Sequence, residues 1–450
     1  MIRPIVAIFC ALVLGTAPLA AAPGDRATVQ AKTEWVGAWG FVVSPPPPGQ
    51  ATPAPNFSPG GPAVPLAAAA APFTPGQPRF LDNPGRLPVD ASSADLTNVT
   101  MRQLVRVSIA GPAIRLRLSN ESGTDLLAIG GVHVGLAGPD GSILPGTDRV
   151  VTFAGNPSVN IPGGAPLLSD PVALPVKALD KLAVSIYAPG RLTARNVRTL
   201  WQYVAGSPGD TGGAASLPNA RLARAPVILS MVEVAPTQPA STIVAFGDSI
   251  TEGDGSTLNA FRGWPDRLAE RLAAQPGKQR WAVVNSAISG NRLLGYGSGP
   301  NALARFDRDV LAVPGVKTLI LLEGINDIGR SFSPRNASDP VTAPALIAAY
   351  QQIIARAHAH GIRVIAGLLT PYKGAGYASE QGEAVRQAVN SWIRTSGAFD
   401  GMIDFASAVA DKADPLKFDA KFNNGDLLHP NDAGYQAMAD AIDLRMLTGK

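Results

Sequence analysis

The second half of the chain alternates short apolar runs with helical patterns, and this rhythm restricts the possible fold more than any other feature of the sequence. The apolar runs lie at residues 243–246, 282–284, 319–322, 364–369 and 402–405. The helical patterns lie at residues 263–274, 343–360, 380–396 and 431–444. This alternation predicts an α/β domain with a five-stranded, mostly parallel sheet covered by helices on both faces. Ligands of such open sheets bind beyond the carboxyl ends of the strands.

The first half has a different pattern. Between residues 100 and 234, short segments of alternating polar and apolar residues, such as 103–109 and 114–118, are separated by glycine and proline. This spacing is typical of an antiparallel β-sandwich. The preceding tract, residues 44–88, is dense in proline, alanine and glycine and cannot form a core of its own, so we expect a long wrapping loop, with a functional lid as the alternative.

A chain of 450 residues is long for one hydrophobic core, and two domains are the better interpretation. We divide it into a signal peptide at residues 1–22, an N-terminal segment with the Pro/Ala-rich loop at 23–99, a β-sandwich domain at 100–235 and an α/β domain at 236–450.

The first residues predict export. Arg3 gives the leader a positive start, residues 5–14 are apolar, and residues 20–22 are small. The single cysteine, Cys10, lies inside this segment, so the mature chain has no thiol, as is ordinary for a bacterial envelope protein. We expect a periplasmic or extracellular protein. No later stretch is apolar over the roughly 18 to 20 residues of a membrane span, so we expect no stable membrane insertion.

Charge and metal-ligand patterns exclude several classes of function. The net charge is only +4 and no dense basic block is present, so we expect no nucleic-acid partner. No HExxH, CxxC or clustered His and Asp pattern indicates a metal site, and we expect neither metal nor cofactor. His358 and His360 end a predicted helix, and His133 lies in a predicted strand; none of them is a candidate ligand or catalyst.

Four short motifs follow the predicted strands. Gly-Asp-Ser-Ile at residues 247–250 presents a serine hydroxyl where the first strand ends, and Asp426 lies three residues before His429, close enough to share a hydrogen bond. Ser-Gly-Asn at residues 289–291 and Gly-Ile-Asn-Asp at residues 324–327 follow two further strands. Each motif alone is most often a turn or a helix cap; their order and their common position at strand ends make them specific.

In this order the motifs closely resemble those of the SGNH, or GDSL, hydrolase superfamily, over roughly residues 241–447. The resemblance implies a flavodoxin-like three-layer fold, here of a bacterial exported type with an additional N-terminal β domain. It also implies that Ser249 is the nucleophile, that His429 is the general base and that Asp426 orients the imidazole. The backbone amides of Ser249 and Gly290 and the side-chain amide of Asn326 would form the oxyanion hole. Spacing alone indicates only the serine, the histidine and the aspartate.

We therefore predict an exported serine esterase that hydrolyses small-molecule or polysaccharide esters through an acyl-enzyme. On family resemblance, acetyl esters of carbohydrates are the leading substrates. A lipase or arylesterase for longer acyl or aromatic esters is one alternative, and a non-catalytic envelope protein that binds carbohydrate is another. A glycosidase-like carboxylate pair, Glu252 and Asp254, would leave the serine and the histidine unused. The sequence leaves the ester preference and the oligomeric state open.

Other residues near the motifs have simpler expected roles. Asp248 should hydrogen-bond within its own turn, Glu252 and Asp254 should lie in a solvated loop, and Trp264 should be a packing anchor. Arg305 and Asn291 are open as substrate contacts. The imidazole of His429 must be neutral to accept the serine proton, so we expect activity to fall on the acid side near a pKa between about 6 and 7.

Overall fold

The structure is a computed structural model. It describes residues 34–42, 97–191, 204–218, 221–223, 228–257, 259–332 and 340–448. The predicted signal peptide and the Pro/Ala-rich tract lie outside these residues. Among the described helices, none has both the length and the apolar character that crossing a membrane requires.

Antiparallel sheets form the first half, as the alternating pattern predicts. One sheet has the order β1 (Val36–Gly40), β12 (Leu229–Ala235), β3 (Ala113–Ser119), β8 (Pro166–Leu168). A second has the order β11 (Arg221–Ala223), β10 (Val204–Pro208), β2 (Thr97–Arg106), β9 (Lys181–Arg191), β5 (Gly131–Leu136), β6 (Arg149–Val150). A small pair joins β4 (Leu127–Ile129) to β7 (Val159–Ile161). Alternate residues of the facing sheets, among them Ile114, Leu116, Val132 and Val184, share one core.

The second half contains five parallel strands, which confirms the predicted fold class. Their order is β14 (Arg280–Asn285), β13 (Ala240–Gly247), β15 (Val316–Leu322), β16 (Arg363–Gly367), β17 (Gly401–Ile403). This is the flavodoxin-like order 2-1-3-4-5. The chain leaves β13 toward β14 on one side and continues to β15 on the other, so the topological switch point lies at the carboxyl end of β13.

Helices flank this sheet. They are α1 (Ser249–Glu252), α2 (Trp264–Ala273), α3 (Ala302–Phe306), α4 (Ile325–Ser331), α5 (Ala343–Ala359), α6 (Glu380–Thr395), α7 (Phe405–Val409), α8 (Asp432–Asp440) and α9 (Leu444–Thr448). A π-helical turn, Asp307–Leu311, continues α3. The helix expected over residues 431–444 ends at Asp440, because the Asp443 carboxylate accepts the amide of Arg445 and starts a separate short helix. Trp264 is fully buried against Phe405, as expected of a packing anchor.

The β domain covers the edge strand β14. Gly40 permits this approach, because a Cβ there would lie 2.5 Å from the Val284 side chain. The amide of Val283 donates to the Ser108 hydroxyl at 2.9 Å, and Arg106 pairs with Glu270 of α2 at 2.6 Å. A sheet edge that is covered in this way cannot pair with another chain. Strand β1 lies within the segment expected to precede the sandwich, yet it pairs with β12; the domain boundaries stay a prediction.

Candidate active site

The serine motif forms a tight turn at the end of β13. Asp248 caps α1, and its Oδ1 accepts the amide of Ile250 at 3.0 Å, as the sequence predicts. Gly247 is required here, since a Cβ would overlap the carbonyl oxygen of Leu322 on the neighbouring strand. Ser249 therefore stands at the rim of the sheet, beside the switch point.

A continuous hydrogen-bond relay leads from this serine to a carboxylate. Ser249 Oγ lies 2.8 Å from Nε2 of His429, and Nδ1 of His429 lies 2.5 Å from Oδ2 of Asp426. The other carboxylate oxygen of Asp426 accepts the amides of Leu428 and His429 at 2.8 and 2.7 Å. Because Asp426 is held by the main chain, it can fix the imidazole with Nδ1 protonated and Nε2 facing the serine. The structure thus brings together the three residues that spacing alone indicates.

The electrostatic environment of the imidazole differs from the sequence expectation. Burial by itself would lower the pKa of His429, but the carboxylates of Asp254, Asp426 and Asp248 outweigh it and raise this pKa to about 9. This pKa lies above the range of about 6 to 7 expected from the sequence, because the local sequence does not show how many carboxylates surround the ring.

Asp254 is the residue near the imidazole that sequence reasoning assigned to a solvated loop. Its Oδ2 lies 3.7 Å from His429 Nε2, and its side chain is 21% exposed. The flanking Gly253 and Gly255 adopt φ values of +111° and +92°, which mark a constrained turn. In the sequence, the feature that could have indicated this turn is an acidic residue with a glycine on each side.

The other two motifs meet beside the serine turn. The side-chain amide of Asn326 donates to Oδ2 of Asp248 at 3.3 Å, and the Tyr377 hydroxyl lies 3.5 Å from the amide oxygen of Asn326. Gly290 has φ +75°, and a Cβ on it would lie 2.5 Å from Ser298 Oγ. Of the predicted oxyanion-hole residues, Gly290 therefore lies in the loop after β14 and Asn326 in the first turn of α4 after β15, both at the carboxyl ends of strands adjacent to β13.

The buried side chain of Arg305 connects the serine turn to the loop that follows β14. Its guanidinium donates to the carbonyls of Gly247 at 3.0 Å and Ser286 at 2.6 Å, and to the amide oxygen of Asn291 at 2.8 Å. Arg305 is 2% exposed and Asn291 is fully buried, so neither lies where a substrate could reach it. The two residues left open as substrate contacts instead support the loops that carry Ser249 and Gly290.

Ionisable groups are concentrated beneath the site. Burial raises the pKa of Asp248 to about 7, against the lowering effects of the Ile250 amide and of His429. Burial also raises the pKa of Glu323 well above its usual range, and Asp248 adds to this effect. Asp327 holds the loop that contains Gly290, because its carboxylate accepts the amides of Leu293 and Leu294 at 2.6 and 2.9 Å.

The remaining histidines with described positions lie elsewhere. His133 contacts Asp148 at 3.0 Å, and His358 contacts Asp400 at 2.8 Å. Within the described ranges, no group of three or more His, Cys, Asp or Glu side chains is arranged to hold a metal ion.

Comparison with known families agrees with this arrangement. The model of the GDSL-like lipase/acylhydrolase family matches residues 245–437. The match begins within β13 and ends within α8, so it includes all four motifs. Fold and motif order define an SGNH-type hydrolase: the chain carries a GDSL-like acylhydrolase domain and is a carboxylic ester hydrolase.

Solved structures with a similar fold were found. A GDSL-like lipase from Bacteroides thetaiotaomicron is 17% identical, with 47% of this chain and 89% of the lipase covered and a TM-score of 0.35. A psychrotrophic esterase from Pseudoalteromonas is 19% identical, with coverages of 45% and 93% and a TM-score of 0.34. A family two carbohydrate esterase from Cellvibrio japonicus is 13% identical, with coverages of 79% and 90% and a TM-score of 0.36. A search of curated proteins gave no match.

Proposed function

We propose that this chain is an exported serine esterase in which Ser249 attacks the ester carbonyl. The observation that carries the proposal is the relay of 2.8 Å from Ser249 Oγ to His429 and 2.5 Å from His429 to Asp426. A hydroxyl in hydrogen-bond contact with a base that is itself oriented by a carboxylate is the arrangement that activates a serine nucleophile.

The proposed reaction has two halves. His429 takes the proton of Ser249 as the serine oxygen bonds to the carbonyl carbon, and it then gives that proton to the departing alcohol. The resulting acyl-enzyme is hydrolysed when the oxygen of a water bonds to the acyl carbon as His429 takes its proton. The bond to the serine oxygen then breaks, His429 returns the proton to that oxygen, and the carboxylic acid leaves. The backbone amides of Ser249 and Gly290 and the side-chain amide of Asn326 donate to the carbonyl oxygen while it is negative.

Short acyl groups, acetyl above all, are the proposed substrates, carried on the hydroxyls of carbohydrates. The groups around Gly290 and Asn326 support this proposal because they are polar. The Ser298 hydroxyl and the Arg330 guanidinium lie beside Gly290, and the Tyr377 hydroxyl faces the amide of Asn326. Polar walls stabilise a small acyl group and a hydroxylated alcohol better than a long hydrocarbon chain.

Export is proposed from the leader-like composition of residues 1–22, and it implies that the substrate is met in the periplasm or outside the cell. Expression of the full chain in a bacterial host, followed by cell fractionation and N-terminal sequencing, tests this part. A cytoplasmic product with an uncleaved N-terminus would contradict it.

The catalytic proposal is tested with purified protein and a series of nitrophenyl esters of increasing acyl length, together with acetate release from acetylated polysaccharides. We expect the highest kcat/KM for acetyl esters and release of acetate from the polysaccharides. A maximum beyond about eight carbons would favour the lipase or arylesterase alternative. Equal hydrolysis by Ser249→Ala would favour the non-catalytic binding protein.

A further inference from the structure

Two carboxylates, not one, face the imidazole of His429. Asp426 contacts Nδ1 at 2.5 Å, as a residue that orients the ring should. Asp254 lies on the opposite side, with Oδ2 at 3.7 Å from Nε2, the nitrogen that also faces Ser249 Oγ at 2.8 Å. The second carboxylate is therefore next to the proton that moves in the reaction.

The loop geometry fixes Asp254 in this place. Gly255 follows it with φ +92°, and a Cβ there would lie 2.5 Å from the carbonyl oxygen of Pro430, directly after the histidine. The hydroxyl of Tyr435 donates to the carbonyl oxygen of Asp254 at 2.6 Å. The amide of Asp254 donates to the carbonyl of Ser249 at 2.9 Å. Its main chain is thus attached both to the nucleophile turn and to the helix that follows the histidine.

The interaction of Asp254 with the imidazole depends on the protonation state of the ring. Neutral His429 has a lone pair at Nε2, which a carboxylate oxygen at 3.7 Å repels, whereas protonated Nε2 attracts it. The carboxylates that act on this ring are Asp254, Asp426 and Asp248. Two tyrosines interact with these carboxylates, Tyr377 with Asp248 and Asp426 and Tyr435 with all three, and Arg330 interacts with Tyr377. Asp254 is the carboxylate among them that lies beside Nε2 itself.

We propose that Asp254 is a positioning residue that acts on the catalytic proton through His429, favouring the imidazolium form and moving the working range of the enzyme toward alkaline pH. The proposal rests on the assignment of His429 as general base. After proton transfer from Ser249, the imidazolium lies between two carboxylates, so the state that precedes release of the alcohol is stabilised. At neutral pH the same carboxylate shifts the free enzyme toward the protonated form, which cannot accept the serine proton.

The test is the pH dependence of kcat/KM for nitrophenyl acetate, in wild type and in Asp254→Asn. Removing the charge should lower the midpoint of the acid limb by about one pH unit or more. At pH 7 the variant should then be about threefold to tenfold faster than wild type, while at pH 10 it should be slower than wild type, because the imidazolium state has lost one of its two carboxylates. Asp254→Glu, which restores the charge, should keep the midpoint near the wild-type value. Asp443→Asn, which removes an exposed carboxylate paired with Arg445, is the matched charge control and should not change the profile.

An unchanged midpoint in a folded Asp254→Asn variant would overturn the proposal, as would a rise in KM with no change in the pH profile, which would make Asp254 a substrate contact. Circular dichroism and thermal unfolding of each variant establish folding. If Asp254→Asn does not fold, Asp254→Ser, which also removes the charge, takes its place, and an unchanged midpoint in that folded variant overturns the proposal. Covalent titration of Ser249 with a fluorophosphonate distinguishes failure of this proposal from failure of the proposed function. Full labelling of Ser249 together with an unshifted midpoint removes only the role of Asp254.

Discussion

Arg102 of the β domain and Arg305 of the hydrolase domain are buried in different ways. In the β domain, Arg102 is 2% exposed, and its guanidinium donates to the hydroxyl of Ser185 and to the carbonyls of Gly212, Ala214 and Ala215 at 2.6 to 3.1 Å. Each nitrogen of this cation has a neutral partner. Such satisfied burial stabilises one arrangement of the loops and provides no reactive group.

In the hydrolase domain, buried charges face each other under the serine. Arg305 lies 3.6 Å from the Glu323 carboxylate, whose two oxygens have no hydrogen-bond partner among the described residues. Asp248, whose pKa burial raises to about 7, belongs to the same group of buried ionisable residues. Strongly shifted ionisable groups concentrate at functional sites, and here they lie at the switch point of the sheet. The buried polar groups around Arg102 serve stability, whereas those around Arg305 serve chemistry. Variants of both regions can test this difference.

The largest effect should come from the nucleophile. Ser249→Ala should lower kcat by about 10⁴- to 10⁶-fold without loss of stability, because the acyl-enzyme can no longer form. Ser185→Ala, which removes the hydroxyl that accepts from Arg102, is the counterpart in the β domain. It should reduce stability and leave kcat unchanged. Ester hydrolysis and thermal unfolding of both variants check this pair.

The next effect concerns two buried asparagines. Asn326→Ala should lower kcat by about 10²- to 10³-fold, because one donor to the negative oxygen is lost. Asn120 of the β domain instead donates to the carbonyls of Asp125 and Ile161 at 2.8 and 3.0 Å. Asn120→Ala should lower the free energy of unfolding by about 1 to 3 kcal/mol and leave kcat near wild type. A change in kcat under threefold for Asn326→Ala would remove it from the site.

A smaller effect on rate is expected from the buried arginines. Arg305→Lys keeps the positive charge but cannot reach the carbonyls of Gly247 and Ser286 together with Asn291. The two loops should shift, and kcat should fall about 10- to 100-fold. Arg102→Lys should destabilise the β domain with kcat intact. If both variants lost only stability, the contrast between the domains would fail.

The last prediction concerns the dependence of stability on pH and involves no loss of a catalytic group from the wild-type chain. The pKa of His429 is about 9 in the folded chain against 6.5 unfolded. Its stabilising contribution, about 3 kcal/mol, is therefore complete below pH 6.5 and is lost as the pH rises to 9. Burial raises the pKa of Asp248 from 3.8 to about 7. Ionisation of Asp248 therefore also lowers the stability of the folded chain as the pH rises, but over a lower pH range than His429. The Tm should fall between pH 6 and pH 9 as activity rises, and His429→Gln should flatten that slope. An equal slope in the variant would assign it to other groups.

Much of the fold was predictable because it depends on local periodicity. The five apolar runs became the five strands, since a strand buried on both faces must be apolar throughout. The motifs that hold Ser249, Gly290 and Asn326 were visible because each follows a strand, and the Asp426–His429 pair was visible because its two residues are three positions apart. The order of the strands in the sheet brings these separate positions to one place, whereas the sequence shows only their order along the chain.

Contacts between distant segments were not predictable. Asp254 lies 175 positions before His429 in the chain, and nothing local to it shows that an imidazole lies 3.7 Å away. Arg305 looked available to substrate because its position in a short helix does not reveal the carbonyls it reaches. The pKa of His429 depends on three carboxylates from different loops, so it follows from the folded chain only.

Covalent labelling measures the central claim most directly. Purified protein treated with a fluorophosphonate, digested and mapped by mass spectrometry should carry one modification, on Ser249, and lose hydrolysis in proportion to the label. His429→Ala should label far more slowly, because the serine has lost its base. Modification of a different residue, or full hydrolysis with Ser249 quantitatively labelled, would contradict the account.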